Sequence, residues 1–300
     1  MPAKVCTLDC VYCQVGKTTK KTVERADFVC VEKVLSELRE KLAAGHADDL
    51  GRTDAGEKGP IADFITIGGS GEPTLNSRLG ELIDRIRQVT DIPVAVLTNG
   101  TLLDRSDVRA DCAKADVVLP SLDAGDEQTF QKVNRPHELI SIGRLISGLC
   151  AFRSEFSGQI WLEVFLVDGL NTDAEQISRL KDVISQIRPD KIQINTAVRP
   201  GTEMSLGRVE CESLKVLAAQ LGPSCEVIAD FSHACHVMHG ESGPDDVLSM
   251  LKRRPCSLND VCSGLGIDPD EALKYVSQLQ EQGLIGRETK GAVVFFKALP

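Results

Sequence analysis

The chain has 300 residues, a formal net charge of -10 at pH 7, and a hydrophobic content of 42%. This length and composition suit one large globular domain with a smaller second one. The acidic balance argues against a general affinity for nucleic acids, and no apolar run approaches the roughly 20 residues that cross a bilayer. We expect a cytoplasmic protein without a membrane partner.

The first notable stretch is MPAKVCTLDCVYCQVG, which places Cys6, Cys10 and Cys13 close together. Clustered cysteines in a reducing compartment indicate a metal site or a catalytic role more than disulfides. A structural zinc site would need a fourth ligand, such as Cys30 or a histidine. A 4Fe-4S cluster on three thiolates would instead leave one iron open. Only MPAKV precedes Cys6, so the first strand is expected to be very short, or else the start lies too far downstream.

Between residues 28 and 230, helical and strand-like segments alternate. The strand-like runs are DFITIG, PVAVLTN, DVVLPSLD, IWLEVFLV and DKIQINT. Helical spacing predicts helices over residues 29–44, 78–89, 104–113, 138–155, 173–187 and 209–221. Such alternation implies parallel strands joined by right-handed crossovers. Periodicity alone fits an open doubly wound sheet and a (β/α) barrel equally well.

Polar residues follow most of these strands. They are Gly69 to Glu72, Thr98 and Asn99, Ser121 and Asp123, and Asn195 and Thr196. Both architectures place their active sites at the carboxyl ends of the strands. Glu163 lies inside an apolar strand, where an unpaired carboxylate costs several kcal/mol. We expect it to have a partner, either a Lys, an Arg or a ligand.

The cysteine stretch resembles the motif of the radical S-adenosylmethionine (SAM) superfamily, and ITIGGSGEPTL resembles its glycine-rich motif. The segments SGEPTLNSRLG, LTNGTLL, VVLPSLDA, VNRPH, IWLEVFLVDGLN and IQINTAVRPG are similar to its wyosine-type Fe-S oxidoreductase branch. The resemblance covers nearly all of residues 4–202. It implies an α/β fold, a partial (β/α)6 barrel spanning residues 1–230.

The resemblance also implies roles for individual residues. Cys6, Cys10 and Cys13 would hold a 4Fe-4S cluster whose open iron binds SAM. The residues expected to contact SAM are Tyr12, Gly69, Gly71, Glu72, Ser121, Asp123, Glu163 and Asn195. Three loop residues beside prolines are expected either to face substrate or to form surface turns: Arg135, His137 and Arg199.

The rest of the chain differs in pattern. Residues 231–244 form a linker whose SHACHVMHG segment is either a metal site or an exposed connector. Residues 245–300 predict a winged-helix-like domain, with a helix over 245–253, helices capped by Ser257 and Asp268, and a hairpin at Lys290 and Gly291. The last of these helices begins with acidic residues. Protein docking is therefore favoured over DNA binding, with tRNA contact through residues 252–254 as a second reading.

These observations predict a radical SAM enzyme that takes an electron from a low-potential donor such as a ferredoxin or flavodoxin. Its substrate is not identified, and modification of tRNA is one hypothesis. Two alternatives are a metal-sensing winged-helix regulator and a degenerate barrel that acts as a scaffold.

Overall fold

The computed structural model describes residues 4–47, 62–203, 206–229, 243–291 and 293–299. Near the start, strands β1 (Val5–Cys6) and β2 (Lys20–Lys21) pair in parallel, and helix α1 (Val31–Ala47) follows. The first cysteine thus lies on a strand of two residues. This short strand pairs with β2 and not with the main sheet.

The main sheet has six parallel strands that neighbour one another in chain order. They are β3 (Ile65–Ile67), β4 (Val94–Thr98), β5 (Val117–Pro120), β6 (Gln159–Leu166), β7 (Lys191–Thr196) and β8 (Cys225–Val227). The predicted α/β class is confirmed, and the parallel sheet is consistent with a partial barrel.

Six helices follow strands of this sheet. They are α2 (Leu79–Arg87), α3 (Ser106–Cys112), α4 (Glu127–Val133), α5 (Ile142–Glu155), α6 (Ala174–Ile187) and α7 (Cys211–Leu221). Asp126, Ser141 and Asp173 cap α4, α5 and α6 by accepting hydrogen bonds from backbone N–H groups of the first turn. The apolar faces of the helices pack on the sheet in one continuous core.

The opposite, concave face of the sheet is open. Leu97 and Ile228 lie on it with exposed fractions of 41% and 42%, whereas neighbouring residues on the helix side, such as Val96, are fully buried. Pro120 has no N–H to donate, and the regular pairing of β5 with β6 gives way there to a single bridge between Ser121 and Glu163. The carboxyl end of the sheet is therefore loosened where polar residues gather.

Residues 243–299 build a second, smaller core. The elements are α8 (Pro244–Arg253), β9 (Cys256–Ser257), α9 (Leu258–Leu265), α10 (Pro269–Glu281), β10 (Ile285–Lys290) and β11 (Val293–Ala298). The three strands form an antiparallel sheet in the order β10-β11-β9. Ser257 and Asp268 cap their helices as predicted, and the hairpin turns at Gly291 with φ +61°. The histidine-rich SHACHVMHG segment lies outside the described residues.

Several elements differ from the sequence prediction. Helix α5 begins at Ile142, not at 138, because Ser141 caps it. Helix α4 and strand β8 were not predicted; one has seven residues and the other three, which is too short for a period to show. Within the described ranges, no helix has both the length and the apolarity needed to cross a membrane.

Candidate functional site

The cysteine loop, residues 6–16, leaves β1 and lies across the carboxyl ends of the strands. Backbone hydrogen bonds hold it from three sides. The N–H of Glu72 donates to the Val5 carbonyl over 3.0 Å, and that of His137 to the Thr7 carbonyl over 2.8 Å. The N–H of Glu203 donates to the Val11 carbonyl over 3.0 Å. Loops that follow three different strands thus fix the positions of the cysteines.

Each thiol receives N–H donors. Asn99 Nδ2 lies 3.4 Å from Cys6 Sγ, and Asn134 Nδ2 lies 3.5 Å from Cys10 Sγ. The Leu8 N–H also points at Cys6 Sγ, at 3.5 Å. Such donors stabilise sulfur that carries negative charge.

The protein alone disfavours ionisation of these thiols. Burial, with a smaller contribution from the Glu72 carboxylate, raises the pKa of Cys6 to about 12. Burial and the nearby Asp123 raise the pKa of Cys10 well above its ordinary value, and burial also raises the pKa of Cys13. Three thiolates held this close therefore need positive charge from a bound metal centre.

The donor set fits an iron-sulfur cluster. Among the described residues, no three His, Cys, Asp or Glu side chains are arranged as ligands of one metal ion. A cluster does not require that arrangement, because each thiolate binds a different iron. With three half-buried thiols and N–H donors on their sulfurs, the loop is suited to a cluster with one iron left open.

The side chain of Tyr12, a residue of this loop, is fixed by two contacts. Its ring stacks on Phe165 with centroids 3.9 Å apart and planes 11° from parallel. Its hydroxyl donates to Asp123 Oδ2 over 2.5 Å. Asp123 is buried and also accepts from Asn134 Nδ2 and the Phe165 N–H. Both predicted cofactor contacts, Tyr12 and Asp123, thus form one buried network that touches Cys10 through Asn134.

The glycine-rich segment ends at Glu72, which is 2% exposed. Its Oε1 accepts from the Thr74 N–H at 3.0 Å, the Thr74 hydroxyl at 2.7 Å and the Thr98 hydroxyl at 2.5 Å. Its Oε2 accepts from the Asn99 N–H at 2.8 Å. Burial raises the pKa of Glu72, and these hydrogen bonds oppose that shift. The carboxylate ties the segment after β3 to the end of β4.

A cavity of about 290 Å³ opens on the concave face beside this segment. The predicted residues that line it are Gly69, Gly71, Glu72, Ser121 and Glu163. Leu97, Leu119 and Ile228 form its apolar walls, and Asn99 and Gln193 add amide groups. Because Asn99 also donates to Cys6 Sγ, the cavity adjoins the cysteine loop. The cavity combines apolar walls with a few convergent polar groups, as small-molecule sites do.

Glu163 faces this cavity with neutral partners. Asn195 Nδ2 donates to its Oε1 over 3.0 Å, and Ser121 supplies a second side-chain hydrogen bond. Burial raises the pKa of Glu163, Asp123 adds to the shift, and the two hydrogen bonds oppose it. The expected Lys or Arg is not its partner among the described residues. Asn195, predicted to contact SAM, reaches the cavity through Glu163.

The three residues predicted to face substrate lie around the cysteine loop and not among the residues that line the cavity. Arg135, with φ +47°, forms an ion pair with Glu203. The His137 Nδ1 accepts the Leu139 N–H over 3.2 Å. Arg199 pairs with Asp260 of the C-terminal unit. Contact of these residues with a substrate stays a prediction.

Sequence reasoning gave no role to three residues of this site. Asn99 and Asn134 touch the thiols, and Phe165 stacks on Tyr12. Asn99 follows a strand, which was a usable signal. Asn134 lies at the end of the unpredicted helix α4, and Phe165 has the appearance of an ordinary core residue, so neither gave one.

The fold and the site define a class: a parallel α/β protein with a three-thiol site and an adjoining cavity at the carboxyl edge of its sheet. Residues 2–180 match the family model of the Radical SAM superfamily. The chain belongs to the radical SAM superfamily and to the UPF0026 proteins. The superfamily is one of enzymes, and membership implies an iron-sulfur cluster and SAM binding.

The chain is similar to several known proteins. It is 31% identical to a UPF0026 protein of Methanocaldococcus jannaschii, over 99% of this chain and 90% of that protein. It is 30% identical to a protein of Brachyspira hyodysenteriae named GTPase Obg, over 99% of this chain and 42% of that protein. The chain therefore spans less than half of the second relative.

Among solved structures, the chain is similar to TYW1 with a lysine-pyruvate adduct bound. The TM-score is 0.54 at 21% identity, over 74% of this chain and 71% of that chain. This likeness shows a shared fold.

Proposed function

We propose that this protein holds a 4Fe-4S cluster on Cys6, Cys10 and Cys13 and cleaves SAM reductively. One observation carries the proposal: Asn99 contacts Cys6 Sγ with its side chain and also lines the cavity with Gly69 and Glu72. The cluster site and a cavity for a small molecule are therefore neighbours. When bound, the cluster would supply one electron to SAM, whose C5'–S bond would break to give methionine and a 5'-deoxyadenosyl radical able to abstract hydrogen from the substrate.

The chain's own residues bind and orient SAM. Gly69 and Gly71 have no Cβ, so the backbone beside the cavity is accessible to a ligand. Glu72 holds that backbone in place through its four hydrogen bonds. Among the described residues Glu163 has no cationic partner, and it faces the cavity, where it can accept hydrogen bonds from SAM. Leu97, Leu119 and Ile228 offer a bound ligand an apolar wall.

The proposal also includes a substrate class, a protein partner for the C-terminal unit and an electron donor. The resemblance to the wyosine-type branch supports a modified nucleoside, including one in tRNA, as a substrate class. The elements of residues 243–299 support a winged-helix-like domain, whose balanced charge and acidic α10 start favour docking of a protein over DNA. A low-potential ferredoxin or flavodoxin would supply the electron.

The proposal is tested with anaerobically reconstituted protein given SAM and dithionite. We expect about four irons per chain and formation of 5'-deoxyadenosine. Cys6→Ala, Cys10→Ala and Cys13→Ala should each lose the cluster and the product together. Cys150→Ala is the matched control, because Cys150 lies on α5, on the helix side of the sheet. Full iron content in Cys10→Ala, or product formed without cluster, would remove the assignment.

A further inference from the structure

Two asparagine side chains donate to the thiols of the cysteine loop from outside that loop. Asn99 Nδ2 reaches Cys6 Sγ at 3.4 Å, and Asn134 Nδ2 reaches Cys10 Sγ at 3.5 Å. These are normal lengths for N–H···S hydrogen bonds. The two donors come from separate segments, one after β4 and the other after α4.

Asn134 occupies the more constrained position. It is 2% exposed, and its Nδ2 lies between Cys10 Sγ and Asp123 Oδ2, the latter at 2.6 Å. Its Oδ1 is buried and has no hydrogen-bond partner in the part of the chain that the structure describes. Leaving an amide oxygen unpaired is unfavourable, so the orientation of this amide is set by its nitrogen. A flipped amide would point its oxygen at both the carboxylate and the sulfur.

The backbone of Asn134 is fixed as well. Its N–H donates to the Phe130 carbonyl at the end of α4, and its carbonyl accepts the Asp9 N–H over 3.0 Å. The residue therefore joins α4 to the cysteine loop. Its side chain has little freedom to leave Cys10.

The three thiols differ in their donors. Cys6 receives the Leu8 N–H besides Asn99, and Cys13 receives the backbone N–H groups of Val15 and Gly16. Asn134 is the donor that the described structure gives to Cys10, which also lies nearest to the negative charge of Asp123. Cys10 thus depends on this one side chain for its hydrogen bond, whereas Cys6 and Cys13 also have backbone donors.

We propose that Asn134 is a positioning residue that raises the reduction potential of the cluster through Cys10, and that Asn99 does so more weakly through Cys6. Hydrogen bonds to the sulfurs of a cluster stabilise its reduced, more negative state. Asn134 also stands between the sulfur and the Asp123 carboxylate, whose charge acts in the opposite direction. The inference rests on the proposed function, because it concerns the cluster that the cysteines would hold.

The test is an EPR-monitored redox titration of reconstituted protein, without substrate and without turnover. At a fixed solution potential, Asn134→Ala should lower the ratio of reduced to oxidised cluster about tenfold. This corresponds to a reduction potential lower by about 59 mV for a one-electron couple. Asn99→Ala should lower it less, because Cys6 keeps its backbone donor. Iron content is measured first. If Asn134→Ala binds less cluster than the control, the ratio of reduced to oxidised cluster is compared between Asn99→Ala and wild type.

Asn171→Ala is the matched control. Asn171 is also a buried asparagine at this edge of the sheet, but its Nδ2 donates to the carbonyls of Asp123 and Phe165, both at 2.8 Å. We expect it to lower the melting temperature and to leave the ratio unchanged. Equal ratios in Asn134→Ala, Asn99→Ala and wild type, or an equal shift in Asn171→Ala, would overturn the inference while the proposed function stands. A wild-type chain that binds no cluster would overturn both.

Discussion

The rim of the sheet and its concave face are built in opposite ways. At the rim, the cysteine loop is fixed by backbone hydrogen bonds from three sides, and the Glu72 carboxylate accepts four hydrogen bonds from the protein. On the concave face, Leu97 and Ile228 are more than a third exposed, and Glu163 is hydrogen-bonded to the neutral side chains of Asn195 and Ser121. The backbone of the rim is held by the protein's own hydrogen bonds, whereas the concave face is left open to a ligand.

The largest effect is expected from Glu72→Gln at the rim. Both carboxylate oxygens of Glu72 accept hydrogen bonds, so the amide NH2 of the variant faces a donor whichever oxygen it replaces. At least one buried hydrogen bond is then lost. We expect the free energy of unfolding to fall by about 2–3 kcal/mol and the melting temperature to fall by about 5–10 °C. Thermal unfolding measures it, with Glu81→Gln as the control because Glu81 is exposed and paired with Arg78. Equal melting temperatures for both variants would show that the rim is not held by this carboxylate.

Gly201→Ala should loosen the outer support of the cysteine loop. A Cβ at Gly201 would lie 2.7 Å from the Tyr12 carbonyl oxygen and 2.8 Å from its carbon, and backbone cannot move aside cheaply. We expect a cost of about 1–3 kcal/mol and lower iron retention after reconstitution. Gly143→Ala is the control, because outside its chain neighbours and the backbone of its own helix no described atom lies within 4 Å of the added Cβ. Iron retention equal to that of this control would contradict the tight contact.

The ion pair of Arg199 and Asp260 should couple the C-terminal unit to residues 199–203, the segment that contains Gly201. Both side chains are less than a fifth exposed, and Lys290 Nζ donates to the Arg199 carbonyl over 3.1 Å. We expect Arg199→Ala and Asp260→Ala each to speed hydrogen exchange in residues 199–203, with a coupling of about 1 kcal/mol in the double-mutant cycle. Lys215→Ala, which removes an exposed ion pair with Glu212, should have no effect. Additive effects of the two variants would argue against the coupling.

Glu163→Gln on the concave face should act in the opposite direction to Glu72→Gln. The folded-state pKa of Glu163 is raised, mainly by burial, so ionisation costs wild-type stability as the pH rises through that pKa. Without SAM, the variant should melt about 2–4 °C higher at pH 8, as expected for ~1 kcal/mol. The difference should shrink as the pH falls and both side chains become neutral. A pH-independent difference, or a more stable wild type at pH 8, would show that the protein alone already stabilises the ionised carboxylate of Glu163.

Much of the fold could be predicted from sequence because the long elements carry a clear period. The five apolar strand runs and the predicted helices between them are all present, with shifted ends. Helix α4 and strand β8 were missed because seven and three residues show no period. The two-residue strand β1 is held by contacts that are distant in sequence, so no local pattern encodes its pairing with β2.

The candidate site was predictable in its chemistry and less so in its geometry. The structure brings Cys6, Cys10 and Cys13 and the glycine-rich segment together at the carboxyl edge of the sheet, where the sequence predicted a site. The role of Glu72 as a structural acceptor could not be predicted, because its donors lie on another strand. Asn134 contacts Cys10 across a sequence separation of 124 residues, and only the fold brings the two together.

The most direct test of the central claim is whether SAM binds the cluster itself. The reduced, reconstituted protein would be examined by electron-nuclear double resonance with SAM labelled with ¹⁵N at its amino group and ¹⁷O at its carboxylate. We expect hyperfine coupling of both labels to the cluster. The coupling should be weakened in Glu72→Gln, which loosens the rim, and kept in Lys215→Ala. A reduced cluster that shows no coupling to either label, in protein that binds SAM, would contradict it.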